Sequence, residues 1–180
     1  MRVRVLVYNV KAFRLGVRKS ATLVSEHSLF RRSIHNAVLV RRPWHVISKR
    51  LHRFPRDVRF YPRGALVVRA GRADHRLWAV SVHLGLTPGA RRRNAEELLS
   101  QILRLAGPVV AGGDLNEGPT GDAVSLLSER LRDAWTRGGE GTGETFRSDG
   151  PRARIDYLFV TDHVTVERAV VIRGSQASAS

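Results

Sequence analysis

Val109-Val110-Ala111-Gly112-Gly113-Asp114-Leu115-Asn116-Glu117-Gly118-Pro119 is the stretch on which the reading of this 180-residue chain turns. The apolar run Val109 to Ala111 has no polar face and reads as a strand buried on both sides. Two glycines follow, and the expectation is that they end the strand, where their backbone turns tightly or comes close to a ligand. Asp114 and Asn116 stand two apart on a backbone that Pro119 soon takes out of regular structure. A carboxylate and an amide at the carboxyl end of a buried strand are where open α/β folds keep their chemistry. Gly, Asp, Asn and Pro are also the commonest turn formers, so this stretch alone leaves a plain turn open as well.

Outward from this stretch the chain has the composition of one globular domain. Its 42% hydrophobic content is too high for a disordered chain, and its length suffices for a real core. It has no Cys, which removes disulfides, thiolate zinc sites and cysteine nucleophiles. Neither HExxH nor GxSxG occurs, so zinc-hydrolase and serine-hydrolase readings have no support. No apolar run approaches the ~20 residues that span a bilayer, nor is there a signal-type leader, and a cytoplasmic protein is expected. The net charge of +15 suggests an anionic partner such as nucleic acid. Only Lys11, Lys19 and Lys49 among the 31 basic residues are lysines, a bias that GC-rich coding also produces.

Directly upstream, Ala90 to Ala106 is the clearest helix, with Ala95, Leu98, Leu99, Ile102 and Ala106 at helical spacing. Arg91, Arg92 and Arg93 sit at its start, against the helix dipole, which suits either phosphate contact or solvated arginines. Ala65 to Ala70 and Leu77 to His83 read as a hairpin closed by Gly71 to Asp74, with Ser81 and His83 on the face opposite Val80 and Val82. Arg2 to Tyr8, Ala37 to Val40 and Trp44 to Ser48 are further strand candidates, while Arg50 to Arg63, with Pro55 and Pro62, reads as loop. Lys11 to Arg32 shows only a weak apolar pattern around Ala21 to Val24.

Downstream, Asp122 to Leu131 reads as a short helix and Gly138 to Gly143 as a flexible linker. Arg154 to Val160 and Val164 to Ile172 read as strands. Asp156 stands in the first of these among apolar residues, where a carboxylate without a partner is costly. Residues 1–172 are expected to form the domain, and 173–180, small and polar, a flexible tail.

Four pieces thus occur in a fixed order: a strand ending Tyr8-Asn9, then Ser81-Val82-His83, Gly113-Asp114-Leu115-Asn116 and Arg154-Ile155-Asp156-Tyr157. The ordered set resembles the endonuclease/exonuclease/phosphatase superfamily, which includes pancreatic-type deoxyribonucleases, abasic-site endonucleases, inositol-polyphosphate phosphatases and neutral sphingomyelinases. Asn36-Ala37-Val38-Leu39 and Thr145-Phe146 look like its smaller landmarks. The resemblance implies a four-layer α/β sandwich of two mainly antiparallel β-sheets flanked by helices. It implies cleavage of a phosphoester with Mg2+ or Mn2+, on DNA, RNA or another phosphoester substrate. Asp114 would orient or deprotonate the attacking water, Asn116 would hold that water or a phosphate oxygen, and His83 would donate to the phosphate. Asn9 would lie at the metal and phosphate site, and Asp156 would orient a further histidine. Magnesium prefers hard oxygen ligands, which such carboxylates and amides supply.

Two departures from the pattern stand out. The family's second-strand Gln-Glu, its main metal ligand, has no clear match; Glu26 in Val24-Ser25-Glu26-His27 is the one stand-in, with Asn9 and Asp114 completing the implied metal set. The Ser-Asp-His expected after the last strand is missing from Gly174 to Ser180. The expectation is therefore an incomplete domain with weak magnesium binding and low hydrolytic activity. The alternatives are a degenerate relative or gene fragment that binds anionic polymers through its arginines, or a phosphatase- or sphingomyelinase-like member.

Overall fold

The computed structural model of the chain describes residues 1–5, 21–25, 36–55, 63–147 and 150–172. In chain order the first strands are β1 (Ala21–Ser25), β2 (Ala37–Arg41), β3 (His45–Arg53), β4 (Gly64–Arg72) and β5 (His75–His83). There follow α1 (Pro88–Leu103), β6 (Val109–Asp114), α2 (Asp122–Ser128), β7 (Arg132–Asp133), α3 (Ala134–Gly138), β8 (Gly139–Glu140), β9 (Asp156–Val160) and β10 (Ala169–Val170). No helix among the described residues is long and apolar enough to cross a membrane.

Six strands form the main sheet in the order β3-β4-β5-β6-β9-β7. Every neighbouring pair is antiparallel except β5 and β6, which run parallel because α1 crosses over between them. β4 and β6 are buried along nearly their whole length, as their largely apolar sequences require, with Arg69 half-buried within β4. On one face, Ala65, Val67, Val80, Val82, Val109, Ala111, Tyr157 and Phe159 pack against Leu98, Leu99 and Ile102 of α1 and Ala123, Val124 and Leu127 of α2. On the other, Leu66, Val68 and Ala70 pack against Val38 and Val40 of β2, which pairs antiparallel with β1 in a second sheet. The result is the expected α/β sandwich of two sheets and flanking helices. Thr87 caps α1 by accepting from Ala90 N at 3.3 Å, and Pro88 opens the helix where no N–H is needed.

Several sequence expectations are corrected. Of the strand expected over Arg2 to Tyr8, Arg2 to Val5 is exposed and carries no strand, and residues 6–8 lie outside the described residues. The weak pattern at Ala21 to Val24 is the strand β1, whose partner is β2. β3 runs on to Arg53, through residues read as loop, because β4 needs a partner for its backbone edge. A register shift between Val46 and Ser48 sets β3 so that Arg50 and His52 reach α1, hydrogen-bonding Gln101 at 2.9 Å and Glu97 at 2.8 Å. Gly112 and Gly113 do not end their strand but lie inside β6. Gly138 to Gly143 is no linker: it holds the end of α3 and β8, and a Cβ on Gly139 would meet the Trp135 carbonyl oxygen at 2.5 Å. Gly138, Gly139 and Gly143 answer to packing, whereas Gly141 stands in open space with φ +90°. Of Val164 to Ile172 only Ala169 and Val170 form a strand, since β8, their parallel partner, is two residues long. Asn9, Glu26 and the tail 173–180 lie outside the described residues.

Candidate active site

The sheet register sets the site. His83, the last residue of β5, is the cross-strand partner of Asp114, the last of β6, and Asp114 is the partner of Asp156, the first of β9. Partners in adjacent strands point to the same face, so three chemistry-bearing side chains stand in a row at one edge. The approach of β6 to β5 requires Gly113: a Cβ there would lie 1.8 Å from the Val82 carbonyl oxygen, and its φ is +154°. The glycine beside Asp114 thus serves strand contact rather than a turn or a ligand.

Asp114 is almost fully buried. Its Oδ1 accepts from the backbone N–H of Asn116 at 2.8 Å, and its Oδ2 lies 3.5 Å from His83 Nε2, beyond a direct hydrogen bond. Asn116 has a left-handed backbone, φ +53°, which asparagine tolerates better than most residues. Its side-chain amide donates to the Leu84 carbonyl at 2.9 Å, joining the segment after β6 to the one after β5. On the other flank the Thr145 hydroxyl oxygen accepts from the backbone N–H of Ile155 and of Asp156, both at 3.2 Å. The Thr145-Phe146 landmark therefore fixes the start of β9. Asn36, also buried, donates to the Gly64 carbonyl at 2.8 Å and ties β2 to β4 beside His83.

Burial pushes the His83 imidazole down to about 3, and the neighbouring Arg63 charge adds to the shift. His83 is thus neutral near pH 7, with one ring N–H to donate and one ring nitrogen to accept. Burial also raises the Asp156 carboxyl above the ordinary carboxylate range, against the opposing effect of the Thr145 hydroxyl. Asp156 Oδ1 is buried and has no hydrogen-bond partner among the described residues. A cation or an N–H donor would satisfy it.

Of the expected site residues, His83, Asp114, Asn116 and Asp156 come together, whereas Asn9 and Glu26 lie outside the described residues. Asp114, Asp156 and the Asn116 amide offer hard oxygens of the kind Mg2+ and Mn2+ take, so the donor chemistry fits. In number the donors fall short: among the described residues no group of three or more His, Asp or Glu is placed to hold a metal ion. The sequence reading left Arg63 among the arginines of a surface loop that could touch phosphates without singling it out, although it directly precedes the strand whose Gly64 is the partner of His83. It also missed Glu117, whose neighbours Gly118 and Pro119 suggested only a turn, and it misread Arg91. The Arg91 side chain is neither solvated nor left for phosphate; its Nε donates to Glu117 Oε1 at 3.0 Å, and both side chains are largely buried.

The family model for the endonuclease/exonuclease/phosphatase family matches residues 10–178. The fold is similar to that of an endonuclease/exonuclease/phosphatase from Bacteroides vulgatus, with TM-score 0.75, 15% identity, and 88% of this chain and 71% of that one covered. It is also similar to a mannosyl-6-phosphatase from Bacteroides thetaiotaomicron, with TM-score 0.69, 18% identity, and coverage of 86% and 67%. A truncated TDP2 from Caenorhabditis elegans superposes with TM-score 0.63 at 18% identity, over 78% of this chain and 61% of that one. At such identities the likeness is one of fold. No curated protein matches the chain in sequence.

Proposed function

This chain belongs to the endonuclease/exonuclease/phosphatase family, a superfamily of phosphoester hydrolases, and on that premise we propose that it cleaves nucleic-acid phosphodiesters with the help of a divalent cation. The observation that carries the reading is the row His83, Asp114, Asp156 on three adjacent strands, next to Arg63. Asp114 is the base that orients and deprotonates the attacking water, held in aim by the Asn116 N–H. The Asn116 side chain and the neutral His83 are donors for the phosphate oxygens, and Arg63 supplies positive charge beside them. Asp156 would orient a further donor if one met the oxygen that has no partner among the described residues. Mg2+ or Mn2+, held by Asp114 with Asn9 and Glu26, would neutralise charge on the phosphate and the leaving oxygen. DNA or RNA is favoured over other phosphoesters by the net charge of +15. Cytoplasmic residence belongs to the same proposal.

A second reading, a non-catalytic binder of anionic polymers, is favoured by one observation, the buried Asp156 oxygen with no partner among the described residues. Plasmid nicking with Mg2+ and then Mn2+ separates the two. Slow, cation-dependent nicking is expected, with Asp114→Ala at least about 100-fold slower. DNA binding without nicking under either cation would favour the binder. Nicking undiminished in Asp114→Ala would overturn the assignment of the base.

A further inference from the structure

His83 and Asp114 end the two parallel strands, β5 and β6, and no tight turn links those ends. Arg91, in the first turn of α1, reaches the segments that follow both. Its Nη1 donates to the Leu86 carbonyl at 2.7 Å, three residues beyond His83, and its Nε donates to Glu117 Oε1 at 3.0 Å, three residues beyond Asp114. Glu117 is used on every side. Its Oε2 accepts from Ala123 N at 2.8 Å, near the start of α2, and its backbone carbonyl accepts from the Tyr157 hydroxyl at 3.0 Å. The space is made for it: a Cβ on Gly121 would fall 2.0 Å from Glu117 Cγ.

From this geometry we propose that Arg91 and Glu117 form a positioning clamp for the proposed hydrolytic site. The clamp fixes the ends of β5 and β6 relative to each other and holds Asn116, next in the chain to Glu117, in its left-handed conformation against Asp114. This rests on the phosphodiesterase reading above. It explains why an arginine stands at the positive end of a helix dipole, since Glu117 places a compensating carboxylate there. It also explains why the cation is arginine: the planar guanidinium directs two N–H groups at two separate acceptors, which an ammonium on a flexible stem does less well. Neither side chain touches the reacting atoms; both act through Asn116 and Asp114.

Arg91→Lys and Glu117→Gln test it in the full chain. Two readouts apply: kcat and KM for bis(p-nitrophenyl) phosphate with Mn2+, and hydrogen exchange of individual amides. Each variant is expected to lose about 10- to 100-fold in kcat with KM within about twofold. The Asn116 amide should exchange at least about tenfold faster while core amides of β4 stay protected. In the double variant the losses should fail to add, because the two residues act as one unit. A merely structural role would instead lower the protection of all amides together and leave kcat of the folded protein intact; that pattern, or unchanged Asn116 exchange, would overturn the clamp. Arg91→Lys keeps the charge, so it carries the test if Glu117→Gln does not fold. If the wild-type chain hydrolyses nothing, the phosphodiesterase reading fails by itself, and selective loosening of Asn116 still decides whether the clamp exists.

Discussion

A histidine beside a carboxylate ordinarily becomes more basic, yet His83, 3.5 Å from Asp114, goes the other way, because burial and the Arg63 charge outweigh that attraction. The sign of the consequence follows from linkage. Between about 3 and the ordinary value of 6.5 the unfolded chain binds a proton at this residue that the native chain does not. Stability from His83 is therefore fully present above the upper value and is lost as pH falls through the window, by at most about 1.4 kcal/mol per pH unit. Asp156, raised rather than lowered, works against this: where only its native form is protonated, falling pH adds stability. Urea unfolding in metal-free buffer at pH 7 and pH 5 should show the wild-type chain weaker at pH 5. His83→Gln should remove most of that difference, and an undiminished pH dependence in the variant would refute the assignment. Under the proposed function, the same neutrality would have His83 serve a phosphate as a hydrogen-bond donor and not as a full positive charge.

Among the elements, α3 depends most on one residue. Asp133 ends β7, caps α3 by accepting from Trp135 N at 2.9 Å, and pairs with Arg154 at 2.7 Å, with both side chains nearly buried. Arg154 also lies over the Tyr157 ring at 4.5 Å, so the pair braces the segment leading into β9. Asp133→Asn leaves a buried guanidinium without its counter-charge, and a loss of on the order of 3–5 kcal/mol is expected. Asp162→Asn breaks the exposed pair with Arg132 and should cost less than about 1 kcal/mol. Urea melts of the two variants give the comparison, and equal losses would contradict this account. Elements of this kind were the hardest to read in the sequence. α1 and β6 announced themselves, because a long helical period and an unbroken apolar run are properties of the segment itself. His83, Asp114, Asn116 and Asp156 were legible through the order of their motifs. The second half of β3 and the whole of β8 read as loop and linker in the sequence, because they are strands only through the edges they pair with, β4 and β10. Arg91 and Glu117 were illegible as a pair for the same reason: a charge near a helix start and an acid in a turn meet only after α1 has crossed the sheet.

For the whole molecule the +15 charge is the property that bears on a partner. Some arginines are occupied within the fold: Arg91 with Glu117, Arg154 with Asp133 and Arg168 with Glu140. The net positive charge of the chain supplies a field that attracts phosphates without reading bases. Duplex DNA should therefore bind without sequence preference. If six or more phosphates are contacted, affinity should fall by roughly 10³ or more between about 50 and 200 mM salt. Fluorescence anisotropy over a salt series measures this, and a flat series would assign the arginine content to coding bias. The strand order has a consequence of its own, which concerns the making of the chain. β9 is inserted between β6 and β7, although both precede it in sequence, and among the described residues β7 pairs with no other strand of the main sheet. A chain emerging from the ribosome N-terminus first therefore has the β6 edge beside Asp114 open, and β7 without a strand to join, until Asp156–Val160 has been synthesised. The strand that covers this edge brings Asp156 with it, so the sheet and the row of site residues are completed together, and no shorter nascent chain has either.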